Sequence, residues 1–547
     1  MATPRVSASA ALGLILAIAL ALRLLHVGFG LPSMYDPDEP FFILKAYEMI
    51  DGQTLNPRWF GHPGTTTLYL VMVVEVSVVI VGLLIGQWST IDQFATAVYS
   101  NPGVLFIPAR VSMVLTAVAC IWLTYAAGQR LLGKAEALLG AALLALNGLH
   151  IAWAKVVRTD IQASLFMMAC LFFAARAADE GKMRDFLLGG MMVGLSAATK
   201  WPALSVAIAL FGAATCRLAQ HDGLRPVSVR LAASAIASLA SLLAVSPFLV
   251  LDWRTAVSDM LNEGKPMHLG HTGDGPLSNL IFYLHGQVVG TMGWLGLVAI
   301  VFGTVAAIRS RSVARWTLIP ATVAYFCLLA MQNLVWSRWV LPLLPMLALL
   351  AGHGMLSLGR ALDGRRISPL RRWALPTAAI ALLIPSAVGA WGAVQERKND
   401  TRDQSADWAV RHFPTGSRVV IEHLQIGLRN QPWTVLFPMG EAGCLNGKQL
   451  LSRKVRNDEV QSVRKDAKII DLGNVAPGQL ASCRADFAIL SYYDLYLAER
   501  SRYPRELAAY RALLGNGQTL ALFRPKKGEV GGPVIRIVAI QPSGRAN

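Results

Sequence analysis

What most constrains this chain is a succession of long apolar runs separated by short charged stretches. The clearest cover about residues 104–127, 136–153, 161–177, 186–200, 202–218, 230–250, 284–307, 316–331, 339–358 and 373–393. A helix of about 20 apolar residues spans the hydrocarbon core of a bilayer while satisfying all its backbone groups internally. Water offers so much apolar surface no such refuge, and 54% of the 547 residues are hydrophobic against 15% charged. The expected fold class is therefore an α-helical polytopic membrane protein of about 11 to 13 membrane segments.

The formal net charge of +17 would suit a nucleic acid if the basic residues formed one patch. They fall instead in short loops: Arg130 and Lys134; Arg176, Lys182 and Arg184; Arg217, Arg225 and Arg230; Arg309, Arg311 and Arg315; Arg360, Arg365, Arg366, Arg371 and Arg372. This is the positive-inside pattern, with membrane lipids rather than nucleic acid as partners. Residues 8–27, preceded by Arg5, read as a first uncleaved span, being long for the apolar part of a signal peptide. Keeping every basic loop in the cytoplasm requires that 65–86, interrupted by Glu75, add no net crossing. It is expected to be re-entrant, or paired with a second short crossing near 90–103. The loop at 28–64, the loop at 251–283 and everything beyond residue 395 then lie outside the cytoplasm.

After about Glu396 the apolar runs end. A helix over 401–413, strands over 418–422, 486–491, 519–523 and 534–540, and a helix over 504–514 predict a soluble α/β domain of residues 396–547, following a membrane domain of residues 1–395. The six cysteines contain no CxxC and no Cys/His cluster, which argues against a structural zinc site. Cys120, Cys170, Cys216 and Cys327 read as packing residues in apolar helices. Cys444 and Cys483 either form a disulfide or remain two thiols; spacing does not decide.

The unusual residues gather on the outer face. Asp36, Asp38 and Glu39 put three carboxylates within four residues directly after the first span, with His62 and Pro63 downstream. Lys155, Arg158 and Asp160, then Lys200, then Glu263, Lys265, His268, His271, Asp274 and Tyr283, and finally Arg338 follow on that same face. Cations there run against the topology rule, which points to an anionic lipid headgroup as their partner. A carboxylate that takes the proton of an attacking hydroxyl, beside fixed cations that stabilise a departing phosphate, is the set needed to move a sugar from a lipid phosphate to a hydroxyl. Each residue also has a plainer reading. Asp160 suits a helix N-cap, Lys200 a snorkelling side chain, Arg338 a topology anchor, Glu75 a packing acid, and the two histidines either solvated loop residues or ligands of a divalent metal.

Taken in order, Asp38-Glu39, His62-Pro63, Arg158-Thr159-Asp160, Thr199-Lys200-Trp201 and Arg338-Trp339-Val340-Leu341-Pro342 resemble the motifs of the GT-C glycosyltransferases related to protein O-mannosyltransferases and to the aminoarabinose transferase of lipid A. The resemblance covers most of residues 1–395. It implies an inverting transferase that uses a polyprenyl-phosphate sugar donor and an acceptor hydroxyl outside the cytoplasm, on lipid A or lipopolysaccharide, a polysaccharide or a protein. The compact plan of the chain suits a bacterial inner membrane with the active site and C-terminal domain facing the periplasm; an organelle lumen is the alternative. By the resemblance, Asp38 is the general base, with Glu39 positioning the loop or a cation and Asp160 as second acid. Lys200 and Arg338, assisted by Arg158, would hold the donor phosphate; Asp36, His62, His268, His271 and Tyr283 would line the pocket. No cofactor is required by this chemistry. The competing reading is a polytopic transporter or lipid flippase, but duplicated halves with matching broken helices are not evident.

Overall fold

The computed structural model describes residues 7–310, 312–363, 371–422, 428, 431–452 and 471–540. Arg5, Arg311, Arg365 and Arg366, used above for topology, lie outside the described residues. The chain divides into two compact units, one of Met1–Gly28 and Asp36–Val394 and one of Phe29–Tyr35 and Gln395–Asn547.

The first unit is helical. It begins with α1 (Ala8–Leu24), α2 (Glu39–Asp51), α3 (Thr65–Leu84), α4 (Ile91–Ser100), α5 (Gly103–Leu131), α6 (Lys134–Ala145), α7 (Gly148–Trp153), α8 (Thr159–Glu180) and α9 (Met183–Thr199). Helices at Ile208–Ala219, Leu224–Val245, Gly290–Arg309, Leu318–Ala330, Leu344–Asp363 and Arg371–Lys398 complete it. Among the described residues, nine helical stretches are long and apolar enough to cross a membrane, and α1 is a shorter apolar helix. The run at 136–153 breaks into α6 and α7, because the Asn147 side chain accepts the His150 N–H and starts α7 afresh. Close packing relies on small residues. At Gly190 and Gly194, one turn apart on α9, a Cβ would run into the carbonyl oxygens of Ser234 and Ser238 on the next long helix. Cys120 and Ala127 of α5, Leu144 of α6 and Met167, Cys170 and Ala174 of α8 are fully or almost fully buried in the core between the helices. Cys216 is buried too, but Cys327 is exposed, because the buried face of its helix is carried by Leu318, Ala321, Thr322, Tyr325 and Leu329.

Residues 65–84 form one unbroken helix of 20 residues, about 30 Å long. It contains no reversal, which corrects the re-entrant expectation. Its N-terminal turn is tied to α9 by a 2.6 Å hydrogen bond between the Thr66 and Thr199 hydroxyls. The N-terminal half of α5 returns to the same face, where Arg110 meets Glu39. The segment from α3 to the start of α5 therefore begins and ends on one side.

Among the described residues the second unit holds a six-stranded sheet of β1 (Arg418–Ile421), β2 (Thr434–Pro438), β3 (Cys444–Asn446), β4 (Phe487–Leu490), β5 (Gln518–Phe523) and β6 (Ile535–Ala539), in the order β3-β2-β1-β4-β6-β5. The central β1 runs parallel to β2 and β4, and the other pairings are antiparallel. Val419, Ile421, Val435, Ile489 and Ile537 face a core shared with Ala409 and Phe413, the one in and the other just after the helix Thr401–His412. β2 and β3 were not expected from the sequence. β2 is a short run closed by Pro438, which obscures a strand signal. Cys444 and Cys483 are joined by a disulfide.

Candidate active site

The acid loop is shaped by its own first carboxylate. Asp36 accepts the backbone N–H groups of Asp38 at 3.1 Å and Glu39 at 3.0 Å, and Pro40 in the first turn presets the helical backbone of α2. Glu39 points inward and is fully buried. Its carboxylate takes Arg110 Nε at 2.8 Å, Arg110 Nη2 at 2.6 Å and the Val157 N–H at 3.0 Å, while Arg110 Nη1 donates to the Val27 carbonyl at 2.7 Å. Of the three acids only Asp38 is well exposed, its side chain showing 51% of its surface.

Asp38 lies 2.6 Å from Arg158 and 3.9 Å from Arg338. Arg158 also holds Asp36 at 2.8 Å. Asp160 does not cap α8, whose N-cap is Arg158; it sits in the first turn and pairs with Lys200, with Arg338 3.9 Å away. Lys200 is placed there because 62–64 and 199–201 are stitched together: Pro63 forms a β-bridge with Lys200, Trp201 N–H donates to the His62 carbonyl at 2.7 Å, and Gly64 N–H to that of Thr199 at 3.2 Å. Three cations thus face three carboxylates. Arg338 has the longest ion-pair distances of the three and rests on Trp336, 4.1 Å from the ring centre, with His271 stacked on that ring at 3.5 Å.

The histidine loop sets this backing. Val335 N–H donates to the His271 carbonyl at 2.8 Å, Gly273 N–H to that of Asn333 at 2.8 Å, and the Tyr283 hydroxyl accepts the Trp336 N–H at 3.3 Å. The structure therefore brings Asp36, Asp38, Arg158, Asp160, Lys200 and Arg338 together, with His62 next to Lys200. His268, His271 and Tyr283 stand behind Trp336, and Glu39 faces Arg110 instead of the open side. Glu75 is buried on α3, its oxygens without a hydrogen-bond partner among the described residues. No three metal-ligating side chains gather among the described residues. His268 Nδ1 lies 3.0 Å from the Leu269 carbonyl and His271 Nδ1 3.2 Å from that of Val335.

Although half of the Asp38 side chain is exposed, the protein packed around the loop desolvates its carboxyl and pushes it upward; the guanidinium groups of Arg158 and Arg338 outweigh this and hold the pKa down to about 2. Asp36 and Asp38 overcome the opposite effect of burial on Arg158 and raise its pKa. Burial, then Lys200, lowers His62 to about 3; burial, then His268, lowers His271 to about 4. These imidazoles are neutral near pH 7, so the cationic field of the site comes from Arg158, Lys200 and Arg338. The three cations and three carboxylates balance in charge; Arg338 is the most loosely paired of the cations, and Asp38 offers a carboxylate on the open side.

Two residues escaped sequence reasoning. Arg110 had a signal, since a lone arginine inside an apolar run demands a buried partner. Trp336 had none that set it apart from the other tryptophans.

No curated protein matches the chain. Residues 91–251 match the family model of dolichyl-phosphate-mannose-protein mannosyltransferase. Among solved structures the chain is similar to ArnT from Cupriavidus metallidurans in the apo state, at 13% identity and a TM-score of 0.54 over 96% of this chain and 97% of that one. It is similar to the same protein bound to undecaprenyl phosphate, at 13% identity and a TM-score of 0.52 over 97% and 98%. An oligosaccharyltransferase from Archaeoglobus fulgidus, tethered with an acceptor peptide containing the NVT sequon, is similar at 12% identity and a TM-score of 0.50 over 95% of this chain and 73% of that one. At these identities what is shared is the fold.

Proposed function

From a chain that carries the GT-C glycosyltransferase fold, we propose a membrane enzyme that moves a sugar from a polyprenyl-phosphate donor to an acceptor hydroxyl outside the cytoplasm, with inversion at the anomeric carbon. The observation that carries this reading is Asp38, the exposed carboxylate of the acid loop, standing between two guanidinium groups of a buried cluster. In the reaction the acceptor oxygen attacks the anomeric carbon and its proton passes to Asp38. The bond from that carbon to the phosphate oxygen breaks, and its electron pair leaves with the polyprenyl phosphate. Arg338 and Lys200, assisted by Arg158, stabilise the charge on that phosphate. A bound phosphate also offsets the field that holds the Asp38 pKa low, so donor binding makes the base stronger when it is needed. Asp160 keeps Lys200 and Arg338 aimed at the phosphate.

A groove beginning five residues past Lys200 suits the prenyl chain. It has a volume of about 390 Å³ and is lined by Ser205, Ile208 and Phe211 on one side and Ala324, Cys327 and Leu328 on the other. The basic loops and the disulfide support placement in a bacterial inner membrane, with the acid loop, the 251–283 loop and the C-terminal unit in the periplasm. The acceptor is a hydroxyl of lipid A or lipopolysaccharide, of a polysaccharide or of a protein. The test is mass spectrometry of envelope lipids, polysaccharide and proteins from cells with the wild-type gene, without it, and with Asp38→Asn. A sugar mass absent from both altered strains is expected; its restoration by Asp38→Asn would remove Asp38 as the base.

A further inference from the structure

We propose that Trp59 and Glu263 form a subsite for the acceptor, and that the acceptor is a sugar with two adjacent free hydroxyls, carried on lipid A, lipopolysaccharide or a polysaccharide; this rests on the reading of Asp38 as base. The helix Trp253–Glu263 opens the second outer loop. Asp252, Ala256, Asp259 and Glu263 recur at helical spacing along one of its faces. Ala256 is buried, and the two aspartates fasten that face to the stretch between α2 and α3: Asp252 accepts Asn56 Nδ2 at 3.1 Å and Asp259 the Phe60 N–H at 2.8 Å. Glu263 continues the row, but its carboxylate has no hydrogen-bond or ion-pair partner among the described residues. It is exposed and stands over Gly61, where an added Cβ would lie 2.6 Å from Glu263 Oε1 and 3.0 Å from the Trp59 ring. Glycine at this position is what lets carboxylate and ring come together.

Trp59 is partly exposed, and Phe41, Phe42 and His62 meet its ring at 66, 86 and 68°, so among the described residues no ring stacks on it. A sugar ring has a face of C–H groups, which an unstacked indole covers, and a rim of neighbouring hydroxyls, which a carboxylate accepts one on each oxygen. A serine or threonine hydroxyl offers one donor and no such face. It would displace water from Glu263 without replacing both hydrogen bonds, and a charged group left short of partners is costly. The protein packed around Glu263 raises its pKa; Lys265 opposes this, and Asp38 adds to it more strongly than Lys200 lowers it. Glu263 therefore stands nearer the base than the phosphate cation. Inversion brings the attacking oxygen in from the side opposite the departing phosphate, so a sugar held on the base's side is the acceptor and not the donor. Held there, a further hydroxyl of that sugar meets Asp38 at high effective concentration.

The experiment uses the full chain in lipid nanodiscs with a labelled polyprenyl-phosphate sugar and an envelope extract as acceptor. The extract is used as it is, digested with protease, or oxidised with periodate, which cleaves between adjacent hydroxyls. Transfer should survive protease and be lost after periodate. Glu263→Gln leaves one accepting oxygen and Trp59→Leu removes the ring; each is expected to raise the amount of extract needed for half-maximal rate about 10-fold or more. Donor KM should stay within about twofold, since Lys200 and Arg338 are untouched. A residue that only shaped the loop would move donor KM as well. Label that protease releases on peptides, transfer that survives periodate, an unchanged half-saturation in Glu263→Gln, or a raised donor KM in that variant overturns the proposal. Glu263 is exposed, so Glu263→Gln carries the test if Trp59→Leu does not fold. Wild type that transfers to no extract refutes the transferase reading; wild type that transfers without these differences refutes the subsite alone.

Discussion

The buried pair of Glu39 and Arg110 offers a quantitative test of how the acid loop is held. Both side chains have 0% exposure. In Glu39→Gln the amide oxygen can still accept from Val157 N–H and Arg110 Nε, but the new NH2 group faces the N–H of Arg110 Nη2. One charge-assisted hydrogen bond becomes a donor–donor conflict, and the guanidinium loses its counter-charge inside the protein. Removing one partner of such a pair costs about 3–5 kcal/mol, whereas replacing both by apolar residues of similar volume is about neutral or better. Glu39→Gln alone should therefore lower stability by about 3–5 kcal/mol, and Glu39→Leu with Arg110→Met should recover most of it. The assay is a double-mutant cycle of thermal unfolding in detergent micelles, followed by tryptophan fluorescence. Single variants within about 0.5 kcal/mol of wild type, or strictly additive effects, would refute a coupled buried pair.

Three further outcomes are expected. Burial foremost, then the charge of Glu422, raises Asp471 to about 7, far above the roughly 3.9 of an unfolded aspartate. The folded C-terminal unit thus binds the extra proton, and this stabilisation is complete below about pH 4 and lost as pH rises through about 7. Its melting midpoint should fall from pH 5.5 to pH 8, and Asp471→Asn should flatten the change; a midpoint that rises over that range contradicts it. Reducing the Cys444–Cys483 bond, which closes a span of 39 residues, should cost that unit about 4 kcal/mol of stability in denaturant titrations; an unchanged midpoint would contradict this. A membrane-permeant maleimide should label Cys327, on the lipid-facing side of its helix, faster than the buried Cys120, Cys170 or Cys216, and added polyprenyl phosphate should slow that labelling; equal rates with and without it would remove the prenyl chain from the groove.

The helical bundle was legible because an apolar run carries its own reason to be in a membrane. Asp38, Arg158, Asp160, Lys200 and Arg338 were legible for the opposite reason, as charges placed where they cost free energy. What escaped was pairing. Sequence separates Glu39 from Arg110 by 71 positions and Lys200 from Asp160 by 40, and nothing local states which cation meets which acid. Glu39 read as positioning the loop or a cation, but the sequence did not name Arg110 as the group it holds. The allegiance of residues 29–35 to the C-terminal unit is likewise a tertiary fact, set by Arg397, Arg402 and Asp403, far along the chain. Sequence left two paths open for 65–86, and the unbroken α3 removes the re-entrant one; charge bias could not choose because it counts crossings without fixing the path of a segment that begins and ends on one face.

The most direct test of the central claim is release of polyprenyl phosphate from a synthetic polyprenyl-phosphate sugar by the purified protein with an envelope extract as acceptor, comparing wild type with Asp38→Asn. Wild type should release it with transfer of the sugar, and the variant should be slower by about 10²- to 10⁴-fold, the usual worth of a general base, with donor binding retained. Equal rates in the two proteins, or no release by wild type with any envelope fraction, would contradict it.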